Sequence, residues 1–339
     1  MKALTKILAL LTVFALLTAS CGDDGSDDRS EATDSGSDST SDATPENEPE
    51  PEQDEADSGP DNEETSTPDP ADADSGDSTD VEVDGPQRIV SIDPSGTEIL
   101  FAVGAGDRVV AVDSFSYYPE GTPVTDLSAF SPNVESILGY EPDLVVMGFN
   151  ADVQAGLEAA GVEVVLSLAP TNFDELFAQV ETIGAATGNE SDAAQVAQEM
   201  REAVDELIAN APDATGLSFY HELDNTLYTV TSSTFIGAVY GLFGLENAAD
   251  PADADGSSFG YPQLNDEYLV DADPDLIFLA DTICCGVDAA SIAERPGWDQ
   301  LTAVQSGNVI ELNDDVVSRW GPRIVAFVEA IAAAVAGIA

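Results

Sequence analysis

The sequence predicts an α/β fold of two similar lobes joined by a long helical connection, and three observations carry that prediction. Residues 133–145 read NVESILGYEPDLV, and residues 265–277, which start 132 positions later, read NDEYLVDADPDLI, so one supersecondary phrase is written twice. A solenoid repeat would run at roughly 20–50 residues, so the period points to paired lobes. Each copy is followed by a continuous apolar run, DLVVMG or DLIFLA, as in strands buried on both faces of a parallel sheet. Between the copies, residues 172–211 keep apolar residues at helical spacing and contain no proline.

Each copy builds a helix, a turn and a strand. Asn133 and Asn265 are good N-caps, and Glu135 and Glu267 fall in the first turn, where the helix dipole favours a negative charge. Pro142 and Pro274 then end the helix, because the residue before proline is pushed out of the α region. Elsewhere strand and helix alternate. Strands are expected at residues 88–92, 109–112, 144–147 and 162–166, and a capping box of Ser95 and Glu98 is expected to open a helix over 98–103. After the connection come strands at 217–221, 227–231, 276–280 and 309–312, with helices at 235–243, 289–294 and 324–338. Gly184 and Gly188 interrupt the connection, which reads as one long, bent helix or a close helix pair. The last helix is apolar but contains Glu329 and is short for a bilayer span, so it is expected to pack.

The first 84 residues read differently. Lys2 and Lys6, an apolar run over 7–17 and Thr18-Ala19-Ser20 before Cys21 have the layout of a secretory signal. A cysteine after small residues resembles the bacterial lipoprotein signal, although Thr18 stands where leucine is usual, so residues 1–21 are expected to end in a lipidated Cys21. Residues 22–84 hold almost no large apolar side chains and are expected to form a disordered acidic tether. As coil it would span about 45 Å. The formal net charge of −57 is not confined there: residues 85–339 carry 41 acids and six arginines, with no lysine after Lys6. Such a surface excludes nonspecific nucleic-acid binding and argues against direct docking on anionic lipid. It suggests a saline setting, where counterions screen self-repulsion.

The motifs of common enzymes are missing. There is no Gly-rich phosphate loop, no G-x-S-x-G elbow and no HExxH, and His221 is the only histidine. Plentiful carboxylates leave a secreted carboxylate-dependent hydrolase as the rival class. Cys284 and Cys285 are adjacent in an exported chain, so a vicinal disulfide, free thiols and direct metal contact all stay open.

Three stretches carry a family resemblance: QRIVSIDPSGTEILFAVGAGDRVVAVDSFSYYP, the first repeat copy, and AERPGWDQLTAVQSGNVIELNDDVVSRWGPR. Over residues 86–339 the chain resembles the substrate-binding proteins of ABC importers for iron–siderophores, haem and cobalamin. The resemblance implies two Rossmann-like lobes (residues 85–172 and 212–339) joined by a backbone helix over 173–211, with a ligand cleft between them. It implies a monomer that captures a metal chelate and delivers it to a two-fold permease with its ATPase, held to the membrane by a lipid, with no cofactor of its own. The positions matching the family's permease-docking glutamates are Glu135 and Glu267. Cleft candidates are Tyr117, Tyr118, Phe130 and Phe149 in the first lobe, with Tyr220, His221, Tyr261, Asp315, Arg319 and Trp320 in the second. Asp315 and Arg319, four apart, match a pair in the cobalamin branch, and few arginines are left for a strongly anionic siderophore. The order of fit is therefore cobalamin, ferric siderophore, haem.

Overall fold

The computed structural model describes residues 85–338; the signal, Cys21 and the tether lie outside the described residues. The first lobe runs β1 (Ile89–Ile92), α1 (Pro94–Ala102), β2 (Val109–Asp113), β3 (Val124–Leu127), α2 (Val134–Leu138), β4 (Leu144–Met147), α3 (Ala151–Ala159) and β5 (Glu163–Leu166). All its strand pairs are parallel, in the order β3-β2-β1-β4-β5. Two helices follow, α4 (Phe173–Thr187) and α5 (Glu190–Asn210). The second lobe runs β6 (Ser218–Glu222), α6 (Phe235–Gly241), β7 (Glu246–Asn247), α7 (Asp266–Ala272) and β8 (Leu276–Leu279), then α8 (Thr282–Cys285), α9 (Ala289–Ala293), α10 (Thr302–Ser306), β9 (Val309–Glu311), α11 (Asp314–Val317) and α12 (Ile324–Ile338). Its parallel sheet has the order β7-β6-β8-β9.

Alternation along the central strands explains the continuous apolar runs. Leu144 and Val146 of β4 enter the core that faces the connecting helices, whereas Val145 and Met147 enter a separate cluster on the outer face. Leu276 and Phe278 of β8 likewise face inward, with Ile277 and Leu279 outward. Side chains alternate across a strand, so a sheet covered on both faces needs apolar residues at every position. The inward core is shared by both lobes: Ile89 and Leu144 of the first sheet join Phe219 and Phe278 of the second through α4, α5, α6 and α12.

The connection is a helix pair rather than one backbone helix. Gly188 takes φ 70° at the end of α4, a left-handed conformation that costs glycine little. Gly184 lets α5 approach closely, since a Cβ there would lie 2.1 Å from Ala193 Cβ. Arg201 of α5 stacks 4.3 Å over Phe177 and bonds Asp174, both near the start of α4, so the helices fold back on each other.

Two local expectations are corrected. Asp93, not Ser95, caps α1: its carboxylate accepts from Gly96 N at 2.6 Å, and Pro94 occupies the first helical turn. Ser95 and Glu98 are buried and serve the cleft instead. Residues 227–231 join no sheet; the N–H groups of Thr229 and Thr231 donate to the carbonyls of Pro262 and Gly260, with one antiparallel bridge, Tyr228 to Gln263. Strand β3 had no counterpart in the expected strands.

Candidate functional site

The two sheets aim the carboxyl ends of their strands at the space between the lobes, where α/β folds bind ligands at the switch in strand order. In the first lobe the switch lies between β1 and β4, and in the second between β6 and β8. A cavity of about 370 Å³ opens between the strand ends of the first lobe and the segment that follows β9 in the second. The first lobe contributes Asp93 after β1, Asp113 at the end of β2, Phe130 and Ser167; the second contributes Asp315, Arg319 and Trp320.

The loop and helix around Asp315 are laced to the first lobe. Glu98 of α1 receives Arg323 through both carboxylate oxygens, at 2.9 Å on Oε2, and stands 3.5 Å from Arg319 Nη1. Arg319 Nη2 donates to Asp315 Oδ1 and to the Phe115 carbonyl, each at 2.9 Å. The Tyr117 hydroxyl donates to Asp315 Oδ2. The two guanidinium groups lie over the neighbouring tyrosines, Arg319 at 4.7 Å from the Tyr117 ring centre and Arg323 at 3.9 Å from that of Tyr118. Trp320 N donates to Ser95 Oγ at 2.9 Å, and its indole packs edge-on against Phe235. Cation–π contact and charge-assisted hydrogen bonds reinforce one another in a dry setting.

Of the cleft candidates, Phe130, Asp315, Arg319 and Trp320 line the cavity, Tyr117 meets two of these, Asp315 and Arg319, and Tyr118 lies against Arg323, outside the lining. Phe130 is 81% exposed and meets Phe115 edge-on. Phe149 stands exposed just beyond β4, and Tyr261 is half exposed on the loop before α7; neither lines the cavity. Tyr220 and His221 are corrections. Both are fully buried within β6. Tyr220 packs on Trp298 and donates to Glu222, and His221 Nδ1 meets the Tyr240 hydroxyl at 2.7 Å. Burial pushes the imidazole down to about 3, so it stays neutral, and neither residue lines the cavity.

Sequence reasoning missed Glu98, Arg323, Asp93 and Asp113. One signal was available: Arg319 and Arg323, two of the six arginines after residue 84, lie four apart ahead of a helix. Beneath the second lobe's switch point, Glu222 holds Arg295 bidentately at 2.6 Å. Neighbouring Asp281 is buried with neither oxygen partnered, and desolvation, then the Glu222 charge, raises its carboxyl to about 7. Among the described residues no group of three or more histidines, cysteines or acids is arranged to hold a metal ion. No described helix is long and apolar enough to cross a membrane.

Glu135 and Glu267 sit at equivalent second positions of α2 and α7, behind Asn133 and Asn265, whose side chains accept from Ser136 N and Tyr268 N. Both glutamates are exposed. Cys284 and Cys285 are joined in a vicinal disulfide in α8, beside Asp314, which accepts from the N–H groups of Ile283 and Cys284.

The comparisons agree with this architecture. A family model described as periplasmic binding protein matches residues 89–316. The uncharacterised ABC transporter substrate-binding lipoprotein YvrC of Bacillus subtilis is 32% identical over 258 residues, 73% of this chain and 79% of that protein. A cobalamin-binding protein of Halobacterium salinarum is 33% identical over 252 residues, 71% of this chain and 67% of its own length. The solved periplasmic vitamin B12-binding protein BtuF of Vibrio cholerae shares 25% identity with a TM-score of 0.60, covering 74% of this chain and 96% of that one. With two lobes, a cleft at the strand ends and these relatives, the chain belongs to the periplasmic binding protein family, a family of transport proteins rather than enzymes.

Proposed function

We infer that this extracytoplasmic substrate-binding protein serves an ABC importer whose cargo is cobalamin. The observation that carries the choice of cargo is the charge of the cavity: Asp93, Asp113 and Asp315 line it against Arg319 alone, and Arg319 is already engaged by Asp315 and Glu98. A haem brings propionates and a catecholate siderophore brings several negative charges, and like charges in a low-dielectric cleft repel strongly. A corrin presents neutral amide arms around a metal held by its own macrocycle, and relatives named as cobalamin-binding or vitamin B12-binding support that choice. Exposed Phe115 and Phe130, both lining the cavity, offer flat apolar surface to such a ring.

Delivery uses the paired glutamates. Glu135 and Glu267 are exposed, have no internal partner, and occupy equivalent points on the two lobes, as a two-fold permease carrying cationic side chains would require. The ATPase acts behind that permease, and a lipid on Cys21 keeps the binding protein, acting as a monomer, at the membrane.

Calorimetric titration with cyanocobalamin, haemin and a ferric hydroxamate tests the cargo. Cyanocobalamin is expected to bind with Kd below about 1 μM, equivalent to roughly 8 kcal/mol, and the other two far more weakly. Binding of haemin without cyanocobalamin refutes the assignment.

A further inference from the structure

Two kinds of contact join the lobes beside the cavity. The inner ones rest on buried side chains of α1: Glu98 holds Arg323, and Ser95 Oγ accepts from Trp320 N at 2.9 Å. The outer one stands half in water. The hydroxyl of Tyr117, which is 48% exposed, donates to Asp315 Oδ2 across 198 positions of sequence. Phe115, two residues before Tyr117, lines the cavity from the first lobe, and Asp315 lines it from the second.

The outer contact can break without leaving a charge unpaired. Asp315 then keeps the bond that its Oδ1 accepts from Arg319 Nη2 at 2.9 Å, and the tyrosine hydroxyl turns to water. Parting there also frees the Phe115 carbonyl from Arg319 Nη2, which retains Asp315. A hydrogen bond that water can replace is worth little net. Parting the inner contacts instead strips a buried carboxylate of its partner, which costs far more. The cavity also gives a reason for the lobes to part. Its volume of about 370 Å³ is at the small end for a drug-sized ligand, and a corrin with its nucleotide tail is larger than a drug.

We propose that the Tyr117–Asp315 bond is a latch across the cleft, which opens before the cargo enters while the α1 contacts with Arg323 and Trp320 act as the pivot. The latch rests on the cobalamin reading for its cargo, and it gives Tyr117 a gating role without contact to the ligand.

Tyr117→Phe is the test, because it removes the hydroxyl and leaves the ring that Arg319 covers at 4.7 Å. Stopped-flow mixing with cyanocobalamin, followed by tryptophan fluorescence, gives both rate constants. Association is expected to speed up about fivefold, the worth of one hydrogen bond of ordinary net strength, with dissociation unchanged within twofold. Apparent affinity scales with the fraction of protein that is open, so Kd is expected to fall by the same factor. Unchanged or slower association overturns the latch. Faster dissociation with weaker binding overturns it too, by marking Tyr117 as a ligand contact. Hydrogen exchange on both proteins without cargo gives a second readout, independent of what the cargo is. The amides of Ser116 and Ser318, which donate to the Asp113 and Asp314 carbonyls on opposite sides of the latch, are expected to exchange faster together in the variant, with β4 and β8 unchanged. Equal exchange in the two proteins overturns the latch. Failure of the wild type to bind cyanocobalamin overturns the cargo reading, and the exchange comparison then decides the latch alone. Melting curves establish that the variant is folded.

Discussion

Replacing His221 by glutamine removes a titrating group from the interior of the second lobe and should flatten the acid side of the stability profile. The imidazole is fully buried, has the Tyr240 hydroxyl as its side-chain hydrogen-bond partner, packs edge-on against Phe327, and leaves Nε2 without a partner. Burial lowers its pKa from 6.5 to about 3. The unfolded chain therefore takes up a proton near pH 6.5 that the folded protein refuses until about pH 3. The stability linked to this group is complete above pH 6.5 and is lost as the pH falls towards 3. At 1.36 kcal/mol per pKa unit, the loss reaches about 3 kcal/mol at pH 4.5 and about 5 kcal/mol at pH 3. Urea unfolding of both proteins at pH 7.5 and 4.5 measures it by difference, which cancels the shared carboxylates. At pH 7.5 the variant should be less stable by about 1–2 kcal/mol, for the lost Tyr240 contact and ring packing. At pH 4.5 its position relative to wild type should improve by about 3 kcal/mol, and its cyanocobalamin affinity should stay within twofold. A stability difference that is the same at both pH values would show an imidazole that titrates normally in the folded protein, and would refute the buried placement.

Glu98→Gln should destabilise by about 2–3 kcal/mol, at the low end for a broken buried ion pair because Arg319 keeps Asp315 and Arg323 is partly exposed; a melting temperature within 1 °C of wild type would dismiss the interlobe lacing. Charge reversal at both Glu135 and Glu267 should abolish uptake in cells and leave cyanocobalamin affinity unchanged; lost affinity would put them in the cleft instead. Raising salt from about 0.1 M to 1 M shortens the screening length from about 10 Å to 3 Å. Residues 85–339 set six arginines against 41 acids, and only Arg201, Arg295, Arg319 and Arg323 pair with carboxylates, so most of the acidic surface is uncompensated. The melting temperature should therefore rise with salt, and a flat or falling trend would rule out that account.

What the sequence made legible was whatever burial imposed on composition. Strands β4 and β8 announced themselves because both faces are covered. Strand β3, at the sheet edge with mostly solvated residues, offered neither an apolar run nor clean alternation. Residues 227–231 had strand propensity, but their backbone partners lie in the loop at residues 260 and 262, and propensity does not say which partner wins. The helix pair was half legible, because Gly188 marked the break but not the reversal. In the cleft, the aromatics and the Asp315–Arg319 pair could be nominated from spacing. The charges around them, Glu98, Asp93 and Asp113 from the first lobe and Arg323 from the second, depend on contacts across more than 200 positions in the Glu98 case, which no local pattern encodes.

The repeated phrase shows how far such a reading extends. Asn133 and Asn265 recur because each caps its helix. Asp143 and Asp275 recur because each accepts from the backbone where the neighbouring strand begins: Gln87 and Arg88 N before β1, and Ser218 N at β6. That bond sets the register of β1 against β4 and of β6 against β8. Glu141 and Asp273, before the prolines, both take left-handed φ, which ends the helix abruptly and turns the chain into the strand. The caps, the turn and the aspartates thus have internal reasons to recur. Glu135 and Glu267 do not: each is exposed, neither side chain makes a hydrogen bond or ion pair, and a first-turn charge is worth only a few tenths of a kcal/mol to a short exposed helix. A residue that recurs in both lobes without internal work is accounted for by something that meets both lobes at once. A two-fold permease would be such a partner, and this is the physical ground for proposing the two glutamates as docking residues.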